Sequence, residues 1–320
     1  MTRVAVLGGG STSEHDVSLR SAAAVADALT TGGHDPVAIT IGRDGVWSDA
    51  GGPLGAAPAS SLAAALGVLA GCAVVFPVLH GSPGEDGASA ALADLAALPV
   101  VGGPALAGAI AMDKHATKAV AAALGIEVAP GLLLLPGDPV PPVARPVVVK
   151  PTTAGSSVGV SVVREPGDLE PAVALARASG GAVLVETYVR GREVQVAVVE
   201  RRDGTLTVPP PIEYGVAEGA VFDTSRKYDG TAQVRFPAAV DDGLAAALSE
   251  AAVRLFRALG CRGLSRFDFF VTAEGFVLNE VNTLPGMTPQ SGFPRMCRAA
   301  GLDLPVLVDE LVAVALGDRG

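Results

Sequence analysis

Lysine is scarce in this chain of 320 residues: of 23 basic side chains only four are Lys, at 114, 118, 150 and 227, and the other 19 are Arg. Positive charge as a whole is in deficit. With 33 acidic residues the net charge is −10, so no sequence-independent field draws in nucleic acid or an anionic membrane surface. Cysteine is sparse and unpatterned. Cys72, Cys261 and Cys297 are odd in number and far apart, without a CxxC or Cys/His metal spacing. That excludes a disulfide framework and fits a reducing compartment. The start, MTRVAVLGGG, runs straight into a strand and glycines without an apolar leader, and the expected location is the cytoplasm.

Long apolar spans are also lacking. Leu62 to Leu79 carries no charge over 18 residues, the lower edge of what crosses a bilayer, but Gly67, Gly71 and Pro77 interrupt it. The expectation is an Ala-rich helix ending near Gly71, then a buried strand from Ala73 to Leu79. No internal repeat, heptad pattern or low-complexity tract is found.

What is present is ample core material: 49% hydrophobic residues against 18% charged exclude disorder and suit two or three compact units. The first hundred residues alternate strand-like runs (3–7, 36–41, 73–79) with a helical one (18–29), which implies a parallel sheet binding ligands at its carboxyl edge. After the first strand, Gly8-Gly9-Gly10-Ser11-Thr12-Ser13 lacks the third glycine of a dinucleotide fingerprint. Its plain reading is a tight strand-to-helix turn. A helical stretch from 99 stops near Gly125, and the proline-rich LLLLPGDPVPPVARP (132–146) marks a surface connection. Strand 147–151, the small-residue loop TTAGSSVG and strand 160–163 form a hairpin, not the strand-to-helix junction of a P-loop. A helix (168–179) and strands at 182–189 and 192–200 follow. Glu213 to Thr231 is polar, aperiodic and reads as a mobile loop.

The strongest chemical signal is near the C-terminus. SRFDFFV (265–271) and FVLNEVN (276–282) flank Thr-Ala-Glu-Gly, a hairpin pattern. The period of two puts Arg266 and Asp268 on one face and Glu280 and Asn282 on one face of the returning strand. The turn sets Asp268 opposite Glu280. Two carboxylates and an amide oxygen among apolar strand residues need a neutralising cation, and oxygen-only ligation suits Mg²⁺ bridged to phosphates. The alternative is a solvent-facing strand edge of mixed charge. The rigid turn TLPGMTP (283–289) follows at once, and the Gly286 N–H could meet developing negative charge.

Taken together, GGGSTSEHDVSL (8–19), LHGSPGEDG (79–87), AMDKHATK (111–118), VVVKPTTAGSSVG (147–159), VETYVRGREV (185–194), FDTSRKYDG (222–230), CRGLSRFDF (261–269) and NEVNTLPGMTPQS (279–291) resemble the D-alanine:D-alanine ligase family of the ATP-grasp superfamily. The resemblance spans nearly the whole length. It implies an α/β fold, α+β in its C-terminal half: an N-terminal parallel α/β domain (1–104), a central β-rich lid domain (105–190) and a C-terminal mixed-sheet catalytic domain (191–320). It implies ATP as a substrate, two Mg²⁺ or Mn²⁺ ions, and a homodimer that makes D-alanyl-D-alanine for peptidoglycan precursors.

The same resemblance assigns residues. Asp268, Glu280 and Asn282 match the metal ligands. Lys114 and Lys150 match phosphate-binding lysines, and Lys227 matches the one on the closing loop; compact ammonium charges suit that role. Ser156 and Ser157 match the loop that folds over the phosphates. Glu186, backbone at Tyr188 and Val189, Glu193 and Asn279 match the rest of the nucleotide site, Glu186 at the adenine amino group and Glu193 at the ribose. Glu14 matches the carboxylate that holds the first substrate's ammonium, tied to Ser156 and Tyr228. Arg266 and the Gly286 N–H match the oxyanion donors. Ser291 matches the hydroxyl that binds the second substrate's carboxylate, and His80 lies near the reacting centre.

Two expectations follow from departures and leftovers. Gly292 stands where relatives commonly carry a large apolar residue. Either the second subsite is enlarged and the enzyme joins D-alanine, or another D-amino acid, to a different D-amino acid, as in secondary metabolism, or Phe293 or a neighbour fills the space. Lys118, the lysine without a matched role, is expected to face solvent on its helix.

Overall fold

The computed structural model describes residues 1–144, 146–215 and 233–317, which are built around three sheets. In the first, β1 (Arg3–Gly9), β2 (Asp35–Ile41), β3 (Trp47–Asp49), β4 (Gly52–Pro53) and β5 (Val74–Pro77) lie in the order β4-β3-β2-β1-β5. β1 pairs in parallel with β2 and β5, as the alternating pattern requires, while β3 and β4 extend the edge antiparallel. Because the chain leaves β1 toward β2 and later returns to its other side, β1 and β5 end side by side at a topological switch point. Gly9 fits there because only glycine can: its φ is +93°, and a Cβ would lie 2.2 Å from the Ile41 carbonyl oxygen. The uncharged stretch divides as expected, into a helix Pro58–Leu69 and β5. No helix among the described residues is long and apolar enough to cross a membrane.

The single helical stretch expected before Gly125 is two helices, Ala105–Met112 and Lys114–Ala123. Asp113 divides them by leaving helical geometry and accepting the His115 and Ala116 amides, an N-cap.

The second sheet has the order β6-β9-β7-β8, from β6 (Gly131–Leu134), β7 (Val147–Pro151), β8 (Ser161–Val163) and β9 (Val183–Thr187). The proline-rich run is therefore not all connection: its leucines form an edge strand against β9 before Pro136 stops it. Helix Leu169–Gly180 covers one face, packing Leu169, Val173 and Ala176 on Val147, Val149 and Val185. The other face carries Lys150 and Glu186.

In the third sheet β10 (Arg192–Glu200) pairs antiparallel with β11 (Leu206–Thr207), β12 (Ile212–Gly215) and β14 (Leu264–Val271). β13 (Gln233–Arg235) extends β12, and β15 (Phe276–Asn282) extends β14. The segment read as a loop from Glu213 thus begins as a strand; alternation of Ile212 and Tyr214 against Glu213 is too short a signal to see in sequence. Lys227 and Tyr228 lie outside the described residues. Helices Ala105–Met112, Lys114–Ala123 and Asp242–Ala258 close the apolar face of this sheet.

Candidate active site

Alternation along β10 and β14 sorts side chains into two sets. Val194, Val196, Val198, Phe267 and Phe269 enter one core; on the opposite face Ala197, Val199 and Leu264 enter another, and Glu193, Gln195, Arg266 and Asp268 share that face by register. On β15, Glu280 lies opposite Asp268 and Asn282 opposite Arg266, as the hairpin reading requires. The register slips between Asp268 and Phe269, so Leu278 pairs with Phe269 and Asn279 is the extra residue. The bulge allows Leu278 to stay in the core while Glu280 turns to the polar face.

The buried charges on this face are paired. Arg266 grips Asp268 with two hydrogen bonds, Nε to Oδ1 at 2.7 Å and a terminal nitrogen to Oδ2 at 2.8 Å. Burial opposes the guanidinium charge, but Asp268 and then Glu280 outweigh it, so Arg266 stays protonated. Gln195 Nε2 lies 3.4 Å from both Asp268 and Glu193. Lys114 Nζ donates to the Ala154 carbonyl at 2.7 Å and lies 3.4 Å from Glu280.

Among the described residues no three His, Cys, Asp or Glu side chains form a ready metal cluster. The donor set is two carboxylates and an amide oxygen, chemically suited to a hard divalent cation. The Asp268 oxygens retain lone pairs beyond those Arg266 uses, and the Asn282 Oδ1 accepts one hydrogen bond, from the Leu284 amide at 2.9 Å. The set fits such an ion.

A second charged group joins the second sheet to helix Lys114–Ala123. Glu186 accepts from Lys150 at 2.7 Å and from Lys118 on its other oxygen; Lys150 also lies 3.4 Å from Asn279 Oδ1. The expectation that Lys118 faces solvent is therefore wrong: it is 6% exposed. The spacing held the answer, since residues four apart on a helix share a face, and Lys114 already points to the cleft. Burial and the adjacent Lys150 ammonium push Lys118 down to about 7, despite Glu186. Burial would raise Glu186, but the two lysines hold it below the usual carboxylate range. With Lys118 at about 7, the group carries at most one surplus positive charge, fully present only when Lys118 is protonated, and an anionic ligand nearby would favour that form. Tyr188 lies beside this group, its N–H committed to the Pro146 carbonyl at 3.0 Å and its ring 5.8 Å beneath the Arg164 guanidinium. Val189 follows it, half-buried.

The ends of β1 and β5 bring Glu14 and His80 together. Glu14 stands at the N-cap of helix His15–Thr31 without capping through its side chain and is 8% exposed, not a solvent-facing ornament. The Thr12 hydroxyl donates to the His80 carbonyl at 2.9 Å, joining the two motifs. His80 places Nδ1 3.1 Å from the Leu284 carbonyl and 3.9 Å from Glu85. Burial lowers its pKa, but Glu85 and then Glu14 reverse that and hold it above the ordinary value. His80 Nε2 has no hydrogen-bond partner among the described residues.

From the second sheet, the loop after Lys150 carries Ser156 and Ser157 at φ +50° and +59°, a costly pair for non-glycine residues, of the kind that concentrates at ligand clamps. Gly155 comes close to Glu14, since a Cβ there would lie 3.4 Å from its Oε2. Gly286 faces Ser291 in the same way, at 3.0 Å from Oγ, and Ser291 shares a 2.8 Å hydrogen bond with Thr288.

Part of this arrangement lines one cavity of about 640 Å³, within the range of small-molecule sites. Glu14, His80, Lys114, Ser156, Arg266, Glu280, Asn282, Gly286, Ser291 and Gly292 are on its wall. Lys150, Ser157, Glu186, Tyr188, Val189, Glu193, Asp268 and Asn279 are not, although Asp268 and Glu193 connect to it through Arg266 and Gln195. Among the lining residues the sequence reading missed are Glu85, inside the LHGSPGEDG motif; Gln195, two residues from Glu193 on one strand face; Tyr214; and the arginines Arg20 and Arg295. Next to Gly292 the cavity wall includes both Phe293, which is 1% exposed, and Tyr214. A Cβ at Gly292 would lie 2.5 Å from the Tyr214 hydroxyl.

Comparison with known proteins identifies the family. The family model described as D-ala D-ala ligase N-terminus matches residues 3–103, and that described as D-ala D-ala ligase C-terminus matches 141–313. A D-alanine–D-alanine ligase of Mycolicibacterium smegmatis is 40% identical, over 98% of this chain and 95% of its own. Among solved structures, the VanG D-Ala:D-Ser ligase of Enterococcus faecalis has a TM-score of 0.81 at 29% identity, covering 98% of this chain and 99% of its own. D-alanyl-alanine synthetase A of Vibrio cholerae has a TM-score of 0.83 at 28% identity, with 98% of both chains covered. The fold is the ATP-grasp fold of these ligases.

Proposed function

Since the chain belongs to the D-alanine–D-alanine ligase family, we propose that it joins two D-alanine molecules with conversion of ATP to ADP and inorganic phosphate, supplying a dipeptide for peptidoglycan precursors in the cytoplasm, and that it works as a homodimer. The observation that carries this reading is the convergence of residues from 14 to 291, contributed by all three sheets, on one cavity.

A carboxylate is a poor electrophile, so the first step gives it a leaving group. An oxygen of the first D-alanine attacks the γ-phosphorus, the bond to the β,γ-bridging oxygen breaks, and ADP leaves an acyl phosphate. Glu14 holds the ammonium of that substrate. Lys114 and Lys150 balance phosphate charge, and the Ser156–Ser157 loop presents backbone N–H groups to it. The amine of the second D-alanine, with its carboxylate at Ser291, then attacks the carbonyl carbon. Arg266 and the Gly286 N–H stabilise the tetrahedral oxyanion. The C–O bond to phosphate breaks, the amine loses its extra proton, and the dipeptide and inorganic phosphate remain.

Asp268, Glu280 and Asn282 would hold two Mg²⁺ or Mn²⁺ ions, which when bound neutralise charge on the nucleotide phosphates. Lys118 joins Lys150 and Glu186 at the nucleotide end, a role that its burial supports. The second reading, ligation of unlike D-amino acids, rests on an enlarged subsite at Gly292; the Tyr214 hydroxyl, 2.5 Å from where a Cβ would lie there, favours the first reading over it. ADP release measured with single and paired D-amino acids, D-lactate included, tests the proposal. D-alanine alone is expected to drive turnover. No D-amino-acid-dependent turnover would sink it.

A further inference from the structure

Gly292 opens the helix Gly292–Ala299, directly after the Ser291 hydroxyl, and faces the cavity. A Cβ there would sit 2.5 Å from the Tyr214 hydroxyl oxygen, 3.3 Å from Gln195 Oε1 and 3.5 Å from the Tyr214 Cζ. The first distance is too short for any real contact and the last is an ordinary one. The phenolic oxygen and a side chain at 292 therefore compete for one space, and the oxygen occupies it.

Tyr214 is well placed to hold that position. It lies on β12 opposite Glu193 of β10, and so shares the polar face with Gln195. Its ring packs on the core cluster that includes Phe293 and Met296. Burial raises the phenol's pKa, with Arg266 offsetting only part of the effect, so the group in the cavity is a neutral hydroxyl.

We propose that Tyr214 is the specificity-determining wall of the second-substrate subsite, filling the volume that a side chain at 292 would fill and so restricting the incoming D-amino acid to a small side chain. The inference rests on the ligase reading and assigns a role to a residue outside every motif. It explains how a chain with glycine beside Ser291 keeps a closed subsite: the wall has moved from a helix to a neighbouring strand.

The test is a competition assay in which D-alanine is supplied together with D-2-aminobutyrate, D-valine or D-leucine, and the dipeptides are identified by mass spectrometry. Tyr214→Ala is expected to raise the share of mixed dipeptides carrying the larger residue second by at least about tenfold. Tyr214→Phe keeps the ring and removes only the oxygen, so it is expected to relax selectivity far less, toward D-2-aminobutyrate alone and not toward D-valine or D-leucine. A second pair of variants tests the shared space itself. Gly292→Ala is expected to weaken use of the second D-alanine, seen as a higher KM for that site with the first-site KM unchanged. Gly292→Ala combined with Tyr214→Phe, which removes the oxygen at 2.5 Å, is expected to restore it. Unchanged selectivity in Tyr214→Ala would overturn the proposal, as would equal harm from Gly292→Ala with and without Tyr214→Phe. Absence of D-alanine-dependent ADP release in the unmodified protein is a different result, and would overturn the ligase reading instead.

Discussion

Where β10 and β14 run past the cavity, at Glu193–Val196 and Arg266–Phe269, the two faces of one sheet are equally dry and chemically opposite. Val194, Val196, Val198, Phe267 and Phe269 are each at most 1% exposed, and Glu193, Gln195 and Asp268 across the sheet are at most 5% exposed. Burial therefore does not tell core from site here. What does is partnership. The apolar face is held by area and packing, whereas each group on the polar face is held by a specific neighbour, Asp268 by Arg266 above all. Substitutions on the first face should act on stability alone, and those on the second on binding and turnover.

The largest effect is expected where both are hit at once. Arg266→Ala removes an oxyanion donor of the kind worth roughly 3–4 kcal/mol, so ADP release per folded molecule should fall by about two to three orders of magnitude. It also strands the buried Asp268, and a denaturation midpoint should report a further loss of about 3–5 kcal/mol. Near-normal turnover would remove Arg266 from the chemistry. Next comes Phe267→Ala, one residue along the strand on the other face. It should cost about 3–5 kcal/mol by urea unfolding, with turnover per folded molecule unchanged; a matching fall in turnover would break the division between the faces.

A smaller effect is expected at the two-lysine group. Lys118→Met leaves Glu186 with Lys150 as a balanced pair, so stability should hold within about 1 kcal/mol while KM for ATP rises about tenfold, as loss of a charge-assisted contact predicts. Lys118→Arg should likewise raise it, the planar fork being a poor substitute in a buried slot made for an ammonium. An unchanged KM for ATP would move Lys118 from the site to the scaffold. The smallest is Leu95→Ser at an 87% exposed position, where stability should stay within about 0.5 kcal/mol and turnover should not move.

The parts of this molecule that follow from periodicity were legible in its sequence. The parallel arrangement of β1, β2 and β5, the hairpin that sets Asp268 opposite Glu280, and the division of the uncharged stretch all rest on patterns of two or of three to four residues. The failures came where a local signal had to compete with a tertiary one. Lys118 was placed in solvent because a lone charged residue on a helix usually is, although its spacing from Lys114 pointed inward. β12 was missed because three alternating residues look like loop until β10 pairs with them. Tyr214 was missed because no motif contains it. It matters through Gly292, 78 positions away in sequence, and only the fold joins the two.

The central claim is that this cavity makes an acyl phosphate from D-alanine and ATP. Its most direct test is to supply D-alanine labelled with ¹⁸O in both carboxylate oxygens, with unlabelled ATP and water, and to weigh the inorganic phosphate released. The account predicts one ¹⁸O in each phosphate, transferred from the first D-alanine, with one ADP and one dipeptide formed alongside. Dipeptide formed with unlabelled phosphate, or label recovered in AMP, would contradict it.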